Sequence, residues 1–173
     1  MRRLLFVLMV FVALGASAQR IGIKTNALQW AACTQNVGAE FVVGRHISLN
    51  IEAARNRLDV SRVNLSHTSL MPEVRIWTQR PMARHFVGVV AGIAKYDTRL
   101  GDTYRNGNAL MAGLTYGYDF VLGKHWNLEL TAGAGYARCK QIRYKTGEAK
   151  PKERTPKNAF TPLKLGVSFI YII

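Results

Sequence analysis

Ser66, His67 and Ser69 are near neighbours, with Asp59 a short way upstream, and these are the residue types of acyl-transfer chemistry. A serine becomes a nucleophile when a histidine takes its proton and an acid orients that histidine. Such a triad needs convergence in space rather than closeness along the chain, so decoration of a polar loop is the plainer account. The other histidines, His46, His85 and His125, fall at separate turns, where solvation explains them better than a metal does. Cys33 and Cys139 lack a CxxC pattern or a nearby histidine pair, and so lack the four ligands that zinc requires. Gly133-Ala134-Gly135 lies inside an alternating run and not at a strand-to-helix turn, which removes it as a nucleotide loop. No catalytic residue, metal or cofactor is expected.

A second group of chemistry-bearing residues is scattered in sequence but shares one position in the local pattern. Lys24, Glu40, Glu52, Glu73, Arg75, Asp119, Glu129 and Lys164 all fall on the polar side of segments that alternate apolar and polar residues. If those segments form one closed sheet, all eight side chains point inward together. Clustered carboxylates with shifted proton affinities suit acid/base or ion-conducting work. The favoured account is a compensated ionic network filling a narrow lumen, because buried charges must be paired. A third group is contiguous: Arg138, Lys140, Arg143, Lys145, Lys150, Lys152, Arg154 and Lys157, opposed only by Glu148 and Glu153. At that charge density an extended loop is expected, either capturing lipopolysaccharide phosphates and other anionic partners or merely solvated.

The elements that must position these groups are strands. Leu110–Tyr136 reads as a β-hairpin: Leu110, Ala112, Leu114, Tyr116, Tyr118 and Phe120 share a face with Trp126, Leu128, Leu130, Ala132, Ala134 and Tyr136. The opposite face holds glycine, threonine and the charged residues, which is how a wall with lipid outside and a polar lumen would be written. Similar alternation marks Arg20–Trp30, Val37–Gly44, Ile47–Ala53, Leu70–Trp77, His85–Tyr96 and Phe160–Ile173, giving eight segments in all. Pro72 removes a ladder donor and should mark a local break. In the last segment Leu163, Leu165, Val167, Phe169, Tyr171 and Ile173 are expected on the outer face. Short turns at Gly44–His46, Gln79–Arg84 and Val121–His125 alternate with long polar loops at Asn56–His67, Asp97–Gly107 and Arg138–Asn158. The expectation is an all-β fold: an eight-stranded antiparallel up-and-down transmembrane β-barrel. The aromatic cluster Trp126, Tyr118, Phe120 and Tyr171 would form an interfacial girdle rather than a stacking site.

The amino terminus agrees with that location. Arg2 and Arg3, an apolar run from Leu4 to Leu14 and Ala16-Ser17-Ala18 follow the secretory pattern, so residues 1–18 are expected to be a cleaved signal peptide and 19–173 the barrel domain. The apolar run is too short to span a bilayer as a helix, which takes ~20 residues. An exported chain with two cysteines favours one disulfide, Cys33 to Cys139. The formal charge of +14, from 24 Lys and Arg against 10 acids, points to anionic surroundings. Export makes outer-membrane lipid and lipopolysaccharide better partners than nucleic acid.

The runs KTNALQWAACTQNVGAEFVVGRHISLNIEA, PEVRIW, YGYDFVLGKHWNLELTAGAGYA and LKLGVSFIYI, covering nearly all of the mature chain, resemble small Bacteroidota outer-membrane proteins grouped as domain of unknown function 3575. The resemblance rests on Lys24-Thr25-Asn26, Asn36 with Gly38 and Glu40, Pro72-Glu73 with Arg75, and Leu122-Gly123-Lys124 before Trp126-Asn127-Leu128-Glu129. Gln35 stands where the family commonly has proline, and the final loop is unusually basic. The resemblance implies an eight-stranded barrel, no established biochemical activity, and an association with surface or fimbrial assembly. The expected function is therefore a non-enzymatic outer-membrane platform. The alternatives are a lipid-modifying enzyme built around His67 and a soluble periplasmic β protein that binds a ligand.

Overall fold

The computed structural model describes residues 20–60, 63–145 and 155–173. The expected signal peptide, residues 1–18, lies outside them. Eight antiparallel strands follow one another: β1 (Ile21–Asn26), β2 (Thr34–Val42), β3 (Ile47–Val60), β4 (Val63–Trp77), β5 (Arg84–Leu100), β6 (Thr103–Val121), β7 (Trp126–Lys145) and β8 (Thr155–Ile172). A short helix, α1 (Ala27–Ala31), links β1 to β2. Each strand pairs with the next, and β8 returns to β1 through Lys24 opposite Ile170 and Asn26 opposite Ser168, so the sheet closes into a barrel with no open edge.

Burial is inverted relative to a soluble sheet. The largest fully buried side chains include Arg75, Glu40, Glu73, Glu129, Asn50 and Asn127, whereas Ile76, Val89, Leu110, Leu114 and Leu165 are each more than 60% exposed. Strict alternation produces this, because successive side chains of a strand leave opposite faces. The two halves of the central hairpin expected on one face pair with each other: Phe120 faces Leu128, Tyr118 Leu130, Tyr116 Ala132, Leu114 Ala134 and Ala112 Tyr136. Glycine on the inner face makes room for the polar groups of the lumen. A β-carbon at Gly117 would lie 2.4 Å from the Phe86 ring, and one at Gly88 would lie 2.7 Å from Glu73 Oε1.

One mouth of the barrel is closed by its own turn. Residues 78–83 join β4 to β5, and Pro81, Met82 and Ala83 are buried there. Met82 (φ 60°) and Arg84 (φ 63°) occupy the left-handed region, a conformation that costs non-glycine residues of order 1–3 kcal/mol and persists only where packing imposes it. The packing is visible. Asn127 Nδ2 donates to Met82 O at 2.8 Å, and the end of the Met82 side chain lies over Gly22.

Several boundaries differ from expectation. The first strand stops at Asn26, whose side chain accepts from Leu28 N and caps α1, so the end of the expected Arg20–Trp30 segment, from Ala27 on, is helix rather than strand. The three polar stretches expected as long loops are mostly strand. Pairing continues to Val60–Val63, to Leu100–Thr103 and from Lys145 back across to Thr103. Backbone ladders need no apolar face, so polar sequence extends the hairpins beyond the apolar belt. At one tip Gly101 supplies the positive φ of 57° that a two-residue turn demands. Leu163 is not on the outer face: a register shift beside Gly133 and Ala134 turns it inward, against the positions where β-carbons of Gly113 and Gly135 would lie. Pro72 does mark a break, since the β4–β5 pairing skips from Leu70–Ile93 to Glu73–Val90.

Candidate functional site

Seven of the eight strands contribute polar side chains to one buried cluster in the lumen, and β5 contributes the Phe86 ring beside it. Arg75 from β4 is its hub: Nη1 donates to Glu40 Oε2 (2.8 Å) and Glu129 Oε2 (2.6 Å), and Nη2 donates to Glu73 Oε2 (2.9 Å) and Glu129 Oε1 (3.2 Å). The guanidinium lies 4.1 Å from the centre of the Phe86 ring, supplied by β5. Lys24 from β1 bridges Glu40 (2.7 Å) and Glu129 (3.0 Å); Lys164 from β8 bridges Glu52 (2.7 Å) and Glu73 (3.0 Å). Neutral donors occupy the remaining carboxylate lone pairs. Ser48 donates to Glu40, Asn50 and Thr115 to Glu73, Thr131 to Glu129, and Gln29 to Glu52.

The structure thus brings seven of the eight charged residues expected in the lumen into one ion-paired cluster. Asp119, the eighth, is buried but stands apart, accepting from Asn127 Nδ2 at 3.0 Å. Sequence periodicity found the charges and missed their supports. Ser48, Asn50, Thr115, Thr131 and Asn127 lie on the same inward-facing rows, so the period-two signal was present for them too; only their lack of charge hid them. Trp77, buried on the inner face, donates to Ser48 Oγ at 2.8 Å. The cluster is suited to filling and bracing a narrow barrel. Its carboxylates are committed to cations and hydroxyls, and among the described residues no group of three His, Cys, Asp or Glu is placed to hold a metal.

The strand splits the triad candidates between its two faces. Alternation along β4 sends Ser66 to the outer face and His67 and Ser69 to the inner one, and the Asp59 side chain lies outside the described set. Among the described residues no hydrogen bond joins His67 to either serine. His67 lies beyond the apolar belt, where partial burial lowers its pKa from the usual histidine value. The remaining histidines serve separate turns: His46 Nδ1 meets Gln79 O, His85 Nδ1 meets the Tyr116 hydroxyl at 2.6 Å, and His125 Nδ1 meets Ile172 O at 2.9 Å.

Cys33 and Cys139 are both free, and the expected disulfide is absent. Cys33 is exposed after α1, beside Gln35, Arg55 and Arg57 on the outer wall. Cys139 is on an inward-facing position of β7 and interacts with Tyr96. The wall separates them. Sequence order made β7 and β1 near neighbours across β8, but could not say that the two thiols lie on opposite sides of the sheet.

The basic group is redistributed. Arg138, Lys140, Arg143 and Lys145 belong to β7 and Lys157 to β8, not to a loop; Lys150, Lys152 and Arg154 lie outside the described residues. The strand extension fixes which of these cations look outward together, which a loop would not. Phe120, Trp126 and Tyr171 are exposed at the turn end and Tyr118 is partly so, with Trp126 and Tyr171 rings 5.0 Å apart and Tyr118 and Phe120 rings 4.5 Å apart.

The model of one protein family, described as Protein of unknown function (DUF3575), matches residues 4–173. No curated protein matches the chain.

Proposed function

The chain belongs to the DUF3575 family, and on that premise we propose that it is a non-enzymatic outer-membrane β-barrel. It is exported by cleavage after Ala18 and serves as a structural or interaction platform in surface or fimbrial assembly. One observation carries the membrane reading: an apolar outer wall surrounds an interior in which Arg75, Glu40, Glu73 and Glu129 are fully buried. In water such a wall would aggregate, because soluble monomers rarely expose apolar patches beyond a few hundred Å². In a bilayer the cost disappears, and only a closed barrel lets strands satisfy their backbone there.

The turn-end aromatics then form the girdle at the periplasmic interface, and the polar hairpin extensions rise on the outer side as the interaction surface. Catalysis is disfavoured by the divergence of Ser66 and His67, and a soluble ligand-binding protein by the polar filling of the lumen. The test is electrophoretic. Unboiled protein in denaturing detergent should run at a different apparent mass from boiled protein and fractionate with outer membranes; identical mobility together with recovery in the soluble periplasm refutes the reading.

A further inference from the structure

The outer wall carries a hollow of about 800 Å³ where the apolar belt ends. Two lateral rows of outward side chains run across it, all of them lining it except Arg55 at one end of the upper row. The lower row runs through paired positions Ala53, Leu70, Ile93, Leu110 and Arg138, and the upper through Arg55, Thr68, Lys95, Asn108 and Lys140. Leu70, Ile93 and Leu110 are 42%, 58% and 62% exposed, so the floor is a bare hydrocarbon surface. Lys95 and Lys140 are exposed in the upper row and Arg138 is exposed at the end of the lower one, and neither row contains an acidic residue.

We propose that this hollow is a lateral site for an anionic amphiphile, a phosphorylated lipid whose acyl chain lies on Leu70, Ile93 and Leu110 while its phosphate is held by Lys95, Arg138 and Lys140. This inference rests on the membrane reading and deepens it. The chemistry is complementary at both ends. An apolar trough alone suits any lipid tail, and a cation row alone suits any anion; set one step apart on the same wall, they select a molecule carrying both. Asn108, between the two lysine strands, adds a neutral polar side chain at headgroup height. The turn-end rim differs: Arg20, Arg80, Lys124 and His125 there surround the closed barrel mouth rather than an apolar trough on the wall.

The experiment uses the full mature protein in neutral detergent, challenged separately with phosphatidylglycerol, phosphatidylcholine of matched chains, and inorganic phosphate. Retained lipid is counted by native mass spectrometry. Wild type should retain the anionic lipid at least ten-fold over the zwitterionic one, and inorganic phosphate should not displace it. The variant K95Q/R138Q/K140Q should lose about five-fold in retention per cation, on the order of a hundred-fold together, with phosphatidylcholine unaffected. A control at the other rim, R20Q/R80Q/K124Q, should retain the lipid as wild type does. Equal retention of both lipids, full displacement by phosphate, an equal loss in the control, or occupation of the hollow by a second copy of the chain overturns the proposal. Heat-dependent mobility is recorded for every sample. Its presence with failed lipid selection sinks the site alone, and its absence in wild type sinks the membrane reading.

Discussion

Replacing Arg75 with methionine tests whether the lumen network braces the barrel. The side chain is fully buried and makes four hydrogen bonds to three carboxylates. At about 1.5–3 kcal/mol per bond to a charged group the gross loss is roughly 6–12 kcal/mol. The net loss is smaller, because methionine keeps the packing over Phe86 and the carboxylates keep other partners. Glu40 retains Lys24 and Ser48; Glu73 retains Lys164, Asn50 and Thr115; Glu129 retains Lys24 and Thr131. Removing one partner from a buried ion pair costs about 3–5 kcal/mol, and R75M should fall in that range. Charge counting supplies a second arm. Lys24, Arg75 and Lys164 face Glu40, Glu52, Glu73 and Glu129, an excess of one negative charge in the ion-paired cluster. R75M raises the excess to two, and adding E129Q restores it to one, so the double variant should be more stable than R75M. Urea unfolding in detergent, followed by tryptophan fluorescence, reads both. With a slope of about 2 kcal/mol/M the R75M midpoint should fall by roughly 1.5–2.5 M. An unchanged midpoint, or further destabilisation on adding E129Q, refutes the bracing role.

Leu114 is 62% exposed, so L114R should be nearly neutral for a barrel in water but cost about 2–4 kcal/mol at mid-bilayer; unfolding midpoints in lipid vesicles distinguish the two. Gly117 and Gly123 make a matched pair. G117A drives a methyl to 2.4 Å from the Phe86 ring and should destabilise by about 1–3 kcal/mol, whereas G123A meets nothing within 4 Å and should stay within about 0.5 kcal/mol by the same unfolding assay. Unreduced, denatured protein should accept an alkyl group on each of Cys33 and Cys139, and brief labelling of the folded barrel should mark exposed Cys33 first; a mass gain only after reduction would contradict the free thiols.

Period-two alternation is a local property, and it was enough to reveal the wall. The shared face of the central hairpin, the inward placement of Lys24, Glu40, Glu52, Glu73, Arg75, Asp119, Glu129 and Lys164, and the short turns at one end were all legible without coordinates. The same alternation covered Ser48, Asn50, Thr115 and Thr131, but nothing along the chain says which neutral inward residue meets which carboxylate. Strand length was harder, because a paired backbone does not need an apolar face: the polar stretches after Ala53, Tyr96 and Tyr136 continue as ladder where composition suggested loop. The helix at Ala27–Ala31 gave only a blur in the strand pattern. Leu163 and the cysteine pair show what depends on closure. A single-residue shift beside Gly133 reverses which face Leu163 occupies, and the two thiols lie on opposite sides of one wall. Alternation along a strand determines which residues share a face; only the tertiary structure decides which faces meet, because register and closure are set by pairing between residues far apart in the chain.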